Sequence, residues 1–267
     1  MKYVQNGSAV TVPLSPTRIF VLPSPNLHIH YFHQRDVVSD DPCTDVIEPA
    51  VPYNLAVLVQ NRGYGRARNF RITSAQPQIV ENEKGLLIDF CVVATEVAGH
   101  NIIPSLTADF GDINPGQTVI GRWLMTSPLQ GLFIDYKASF GHIDSVGKPQ
   151  LSLIDELVIH EMIQLVQATG VFEDGKPDFL VHDDQNPFAR PDTIYLSDGT
   201  SRPVAVLEQA TPDRTPIASD VVVHLSVFGP AGWMYVRVPD PANSRFRLAR
   251  VERADGATIS VGTNVWV

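Results

Sequence analysis

Lysine and cysteine are scarce in this sequence: five lysines stand against 21 prolines, and the only cysteines are Cys43 and Cys91. Two thiols suit a reducing interior as well as they suit one extracellular bridge, so cysteine usage does not fix a compartment. The net charge is −9, which argues against binding a phosphate backbone and against adhesion to anionic lipid. No apolar run reaches the roughly 18 residues a membrane span needs, so no membrane insertion is expected. Met1-Lys2 leads into polar residues with no apolar stretch of the signal-peptide kind. Cofactor and nucleophile motifs are missing too. There is no G-x-S-x-G, no P-loop and no CxxC, and Gly63-Tyr64-Gly65 lacks the third glycine and the helix of a dinucleotide fingerprint. No cofactor other than calcium is expected, and no enzyme.

What the sequence does hold reads as strand. Apolar residues make up 44% and charged residues 18%, the balance of a globular chain. Prolines spread over the whole length suit short strands with irregular connections. The organising stretch is Val51 to Ile72. Leu55-Ala56-Val57-Leu58-Val59 is a short apolar run of the doubly buried kind. Asn61-Arg62-Gly63-Tyr64-Gly65 breaks it with residues that tolerate positive φ, and Phe70 and Ile72 belong to the strand that returns. Leu27, Ile29 and Tyr31 mark an earlier strand. Leu86, Ile88, Phe90 and Val92 mark a later one, as do Val119, Gly121, Trp123 and Met125, and then Ile134, Tyr136, Ala138 and Phe140. Residues 26–145 thus offer about seven strands, the sandwich signature. Leu55, Val57, Val59, Phe90, Trp123, Ile134 and Tyr136 are the expected core.

The fold class expected is mostly β: an Ig-like antiparallel β-sandwich followed by a smaller β domain, with one linking helix. Residues 1–25 read as an extended lead-in. Residues 26–168 read as the sandwich with its closing segment, and 169–267 as an irregular acidic segment plus a second β-sandwich-like domain. Residues 151–168 carry apolar side chains at helical spacing. Leu157, Ile159 and Ile163 permit a strand as well, but eighteen residues without Gly or Pro favour the helix. Asn61-x-Gly63-x-Gly65-x-Ala67, Pro115-Gly116-Gln117, Trp123 and Gly131-x-Phe133 together resemble the adhesion-type Ig-like modules of the CARDB kind, found in large secreted and cell-surface prokaryotic proteins. The resemblance covers the first half of the chain. It implies an extracellular or cell-surface setting, a spacer or binding role and no catalytic residue. The chain is accordingly expected to be a fragment or processed form of something longer.

Several constellations are weighed against simpler readings. His28, His30 and His33 read as exposed histidines on an edge strand, not as metal ligands, because His33 has the opposite parity. His160-Glu161-Met162-Ile163-Gln164 has Gln164 where a zinc-binding helix needs its second histidine, so a zinc hydrolase built on His160 and Glu161 is rejected. Tyr64 lies in a turn and can reach solvent, whereas Trp123, Trp233, Tyr235 and Trp266 read as core. Asp174, Asp178, Asp183 and Asp184 are the candidate calcium ligands; a solvated acidic loop, or neutralisation by Arg190, are the alternatives. A second acidic loop carries Asp36, Asp40, Asp41 and Asp45. Cys43 and Cys91 are expected near enough to bridge. The function expected is a non-catalytic structural or adhesive module of a cell-surface or filament assembly, partnered by other protein modules, copies of itself or polysaccharide. The alternative is a carbohydrate-binding or spacer module of a larger secreted enzyme.

Overall fold

The computed structural model describes residues 2–13, 18, 20–41, 43–74, 90–128, 131–132, 139–142, 153–183, 190–207, 210, 212–217, 220–240 and 245–267. Strand follows strand. β1 (Lys2–Gln5) and β2 (Ser8–Thr11) form a hairpin, and β3 (Leu27–Gln34), β4 (Asp36–Val37), β5 (Tyr53–Asn61) and β6 (Ala67–Ser74) follow. Next come β7 (Cys91–Val97), β8 (His100–Ile102), β9 (Ala108–Ile113), β10 (Thr118–Thr126), β11 (Gly131–Leu132) and β12 (Ser139–His142). The long β13 (Ile154–Val166) precedes β14 (Asp178–His182), β15 (Thr193–Tyr195) and β16 (Ser201–Leu207). The chain continues through β17 (Pro212–Ile217), β18 (Asp220–Leu225), β19 (Trp233–Val236), β20 (Val251–Glu252) and β21 (Thr258–Ile259). Among the described residues the only helical turn is the 3-10 turn Gly170–Phe172. The protein is mostly β.

One ten-stranded sheet, in the order β19-β16-β15-β14-β13-β3-β5-β10-β7-β8, forms the frame. It is mixed, not purely antiparallel: β13 lies parallel to β3, and β19 parallel to β16. A three-stranded sheet, β12-β6-β9, faces part of it. Period-two patterning explains the core between them. Leu27, Ile29 and Tyr31 of β3 join Leu55, Val57 and Val59 of β5 and Trp123 and Met125 of β10. Phe70, Ile72, Ala108 and Ile113 of the smaller sheet meet them. Phe90 packs against this cluster half-buried, while Ile134 and Tyr136 lie outside the described residues. The opposite face of the large sheet carries a second cluster, Phe32, Ala56, Leu58, Met162, Phe179 and Val181. A third, around Val166, Leu180, Ile194 and Leu196, takes in Trp233, Tyr235 and Trp266 at its margin. The sheet therefore runs without a break across residue 168.

Four expectations are corrected. The segment 151–168 is no helix: residues 154–166 are strand, hydrogen-bonded on one side to β3 and on the other to β14. Two waiting strand edges outweigh a helical spacing that fits the same apolar residues. The ladder to β14 slips once, between Met162 and Gln164, which is how a strand this long follows a curved sheet. Second, β3 is a central strand, so His30 and His33 are buried. Third, Gly63 and Gly65 do not serve a positive φ. A Cβ on Gly65 would stand 2.0 Å from the Pro23 carbonyl oxygen, and one on Gly63 2.4 Å from the Asn26 nitrogen. They are glycine because the segment leading into β3 crosses directly over them. Fourth, Cys43 and Cys91 are free, exposed thiols, Cys43 held by its N–H to Asp41 in the loop before β5 and Cys91 at the start of β7.

Candidate functional site

The turn after β5 is built on Asn61, whose side chain is fully buried. Its Oδ1 accepts from the N–H of Asn26 (3.2 Å) and of Gly63 (3.0 Å), and its Nδ2 donates to the carbonyls of Gly65 (2.8 Å) and Ile113 (3.0 Å). Two backbone bonds, Arg62 N to Asn26 O and Gly65 N to Ser24 O, complete the clamp. The turn carries the chain from the large sheet to the small one; β5 and β6 do not pair. At its tip Tyr64 is 89% exposed. Beside it lies a cleft of about 410 Å³ lined by Asn26, Arg62, Gly63, Tyr64, Ile154 and Asp155 among others. Asn26 Nδ2 donates to Asp155 Oδ2 at 3.2 Å, and Arg62 Nε to Gln60 Oε1 at 2.6 Å.

From the cleft a row of polar groups runs along the second face of the large sheet. His28 and His30 share that face of β3, and Glu156 and His160 share it on the parallel neighbour β13. His28 Nδ1 lies 2.6 Å from Glu156 Oε2, and this hydrogen bond holds the Glu156 carboxyl below its usual range. Deeper in, His160 Nδ1 donates to the Asp183 carboxylate at 2.8 Å. That assignment leaves His160 Nε2 as an acceptor for His30 Nδ1–H at 2.9 Å. Tyr195 donates its hydroxyl to the same carboxylate at 3.1 Å. Burial first, and then the Asp183 charge, push the Tyr195 phenol upward. Burial, reinforced by His160, lowers His30 to about 4, so it is neutral at pH 7. The rings are also stacked: Phe32 on Phe179 at 4.0 Å, and His160 on Phe32 at 5.0 Å. The row thus ties β3, β13, β14 and β15 together with tautomers fixed by the aspartate.

The four candidate calcium ligands are not one cluster. Asp178 is buried and accepts from the N–H groups of Ala168 (2.6 Å) and Ser197 (2.8 Å). Burial raises it to about 6 against the pull of those two donors. Asp174 converges on the same residue, accepting from Ser197 Oγ at 2.6 Å. Asp183 belongs to the histidine row instead, and Asp184 lies outside the described residues. Among the described residues no group of three or more His, Cys, Asp or Glu is arranged to hold a metal ion. Arg190 offers its carbonyl to His182 at 2.6 Å. Gln164 reaches away from His160 to the Gly262 carbonyl at 2.9 Å. The sequence reading missed the row because it placed β3 at an edge; the shared parity of His28 and His30 was the available signal.

Comparison with known proteins places the chain in no family: no family model, no curated protein and no solved structure matches it. Among the described residues no helix is long and apolar enough to cross a membrane.

Proposed function

We propose that this chain is a non-catalytic structural or adhesive module of an extracellular surface or filament assembly, joined to a second copy of itself through its N-terminal arm. One observation carries the reading. Phe20, Val21 and Leu22 are consecutive apolar residues exposed to 81%, 90% and 78%, in a segment that pairs with no described strand. Three such side chains in water are unfavourable at about 25 cal/mol per Å², and an unpaired backbone beside them is suited to joining a foreign sheet edge. The arm is fixed at its base, because Ser24 and Asn26 are bonded to the glycine turn. An apolar segment that runs into a rigid anchor suits a joint between modules. The resemblance to CARDB-type modules and the acidic charge agree with a surface setting.

Sedimentation velocity over a range of concentrations tests it. The wild type should associate, and Val21→Asp should remain monomeric with an unchanged circular dichroism spectrum. A wild type that stays monomeric at its solubility limit removes the proposal.

A further inference from the structure

We infer that the cleft beside Tyr64 binds a neutral sugar, with the tyrosine ring as its stacking platform. This is independent of the arm: the adhesive reading supplies only the context in which such a ligand would matter. Three features of the cleft carry the inference.

The first is the platform. Tyr64 is 89% exposed, yet its backbone is held by the Asn61 clamp and by glycines on both sides. An exposed aromatic ring on a fixed turn offers a flat apolar face at low ordering cost, since only its two side-chain torsions must settle. A single exposed tyrosine needs no explanation by itself. This one lines a cleft with both polar and apolar walls, which separates it from exposed apolar residues such as Val171.

The second is the pairing of planar polar groups next to the ring. The amide of Asn26 donates to one oxygen of Asp155, whose side chain is 62% exposed. That leaves the second carboxylate oxygen free to accept from a ligand hydroxyl, with the amide holding the carboxylate in place. Arg62, which also lines the cleft, donates to Gln60 and lies 3.3 Å from His28. Acceptors and donors that share a cleft with an aromatic ring match a ligand with apolar C–H faces and equatorial hydroxyl edges. A purely apolar ligand would leave these groups unpaired.

The third is charge. Asp155 and Arg62 line the cleft, and Glu156, bonded to His28, follows Asp155 directly in a chain of net charge −9. A carboxylated or sulfated sugar would be repelled, and a neutral one would not.

Isothermal titration with cellohexaose, maltohexaose and chitohexaose, and with polygalacturonate as the charged control, tests the inference on the full chain. At least one neutral oligosaccharide should bind, Tyr64→Ala should weaken that binding by about tenfold or more, and Tyr64→Phe should keep it within about twofold. Asp155→Ala should weaken it without changing stability. Because Tyr64 is exposed, the variants fold and the comparison stays clean. No binding by any neutral probe, equal binding by Tyr64→Ala, or a preference for polygalacturonate would each overturn it. The readout is ligand binding and not oligomeric state, so this inference and the arm-mediated assembly can fail separately.

Discussion

Asn61 shows how one residue can hold an architecture. Its amide satisfies two N–H groups and two carbonyls from three separate segments, in a place fully closed to water. An isolated buried polar group left without its partner costs about 1–3 kcal/mol. Asn61→Ala should therefore lower stability by about 3 kcal/mol or more in urea titration. A loss below about 1 kcal/mol would show that water replaces the amide. His30 makes the second prediction at this scale. The folded state holds it near 4, against 6.5 for the unstrained group. Between those values the unfolded chain takes up the proton and the folded chain does not, so stability falls as pH falls. From pH 7 to pH 5 the loss is about 2 kcal/mol. Asp178 works in the opposite direction, because burial raises it from 3.8 to about 6 and the folded state gains its proton first. The two overlap, so the wild-type slope alone does not isolate His30. The difference between wild type and His30→Gln at the two pH values does: the variant should lose about 2 kcal/mol less on acidification. His160, Glu156, Arg62, His28 and Tyr195 surround His30, and all remain in the variant.

At the scale of elements, β10 and β13 show what a sequence reveals. Val119, Trp123 and Met125 alternate cleanly, and β10 lies where alternation places it, with Trp123 fully buried and its Nε1 donating to Ser105 O at 2.9 Å. Trp123→Ala should cost about 3–5 kcal/mol through lost transfer energy and a cavity; a smaller loss in denaturant would contradict the packing described. The period was legible because one face of β10 is apolar and contiguous. β13 was not legible for the opposite reason. Its apolar residues fall on both faces, with Ile159 and Leu157 half-exposed and Met162 buried, so period two and period 3.6 fit equally. Only the two neighbouring edges decide, and those come from residues about 130 positions upstream and 12 to 21 downstream. The glycine turn was legible as a turn but not in its cause. A close backbone crossing leaves the same glycines in the sequence as a positive φ does. The site shares this fate. Tyr64 could be placed in solvent from its turn, whereas Asn26, Arg62 and Asp155 meet only through long-range pairing. Likewise His30, His160 and Asp183 are joined by strand order, which no local pattern encodes.

At the scale of the whole molecule, the continuous sheet carries a consequence for folding. β13 sits between β3, which belongs to the two-sheet core, and β14, which begins the C-terminal half. Phe32, Ala56 and Leu58 from the first half share a cluster with Phe179 and Val181 from the second. Gln60 Nε2 and Thr118 Oγ1 both donate to the carbonyl of Asp198, near the β15–β16 connection. The β15–β16 connection thus reaches β5 and β10, and neither half is insulated from the other. A fragment of residues 1–168 would keep the core around Trp123 but lose the cover over Phe32, Ala56, Leu58 and Met162. Each larger side chain among these contributes roughly 1.5–3 kcal/mol when buried, and the stability of a whole domain is only about 5–15 kcal/mol. The fragment should therefore lack fixed tertiary structure, and the full chain should unfold in one transition. The measurement is urea unfolding of Trp233→Phe/Trp266→Phe, in which fluorescence reports Trp123 alone and far-ultraviolet circular dichroism reports every strand. Coincident curves in the full chain, and a fragment with no near-ultraviolet signal, are the expected results. Two separated transitions, or a fragment that keeps the native near-ultraviolet spectrum of Trp123, would mean that the halves fold independently and that the shared cluster is a contact between domains.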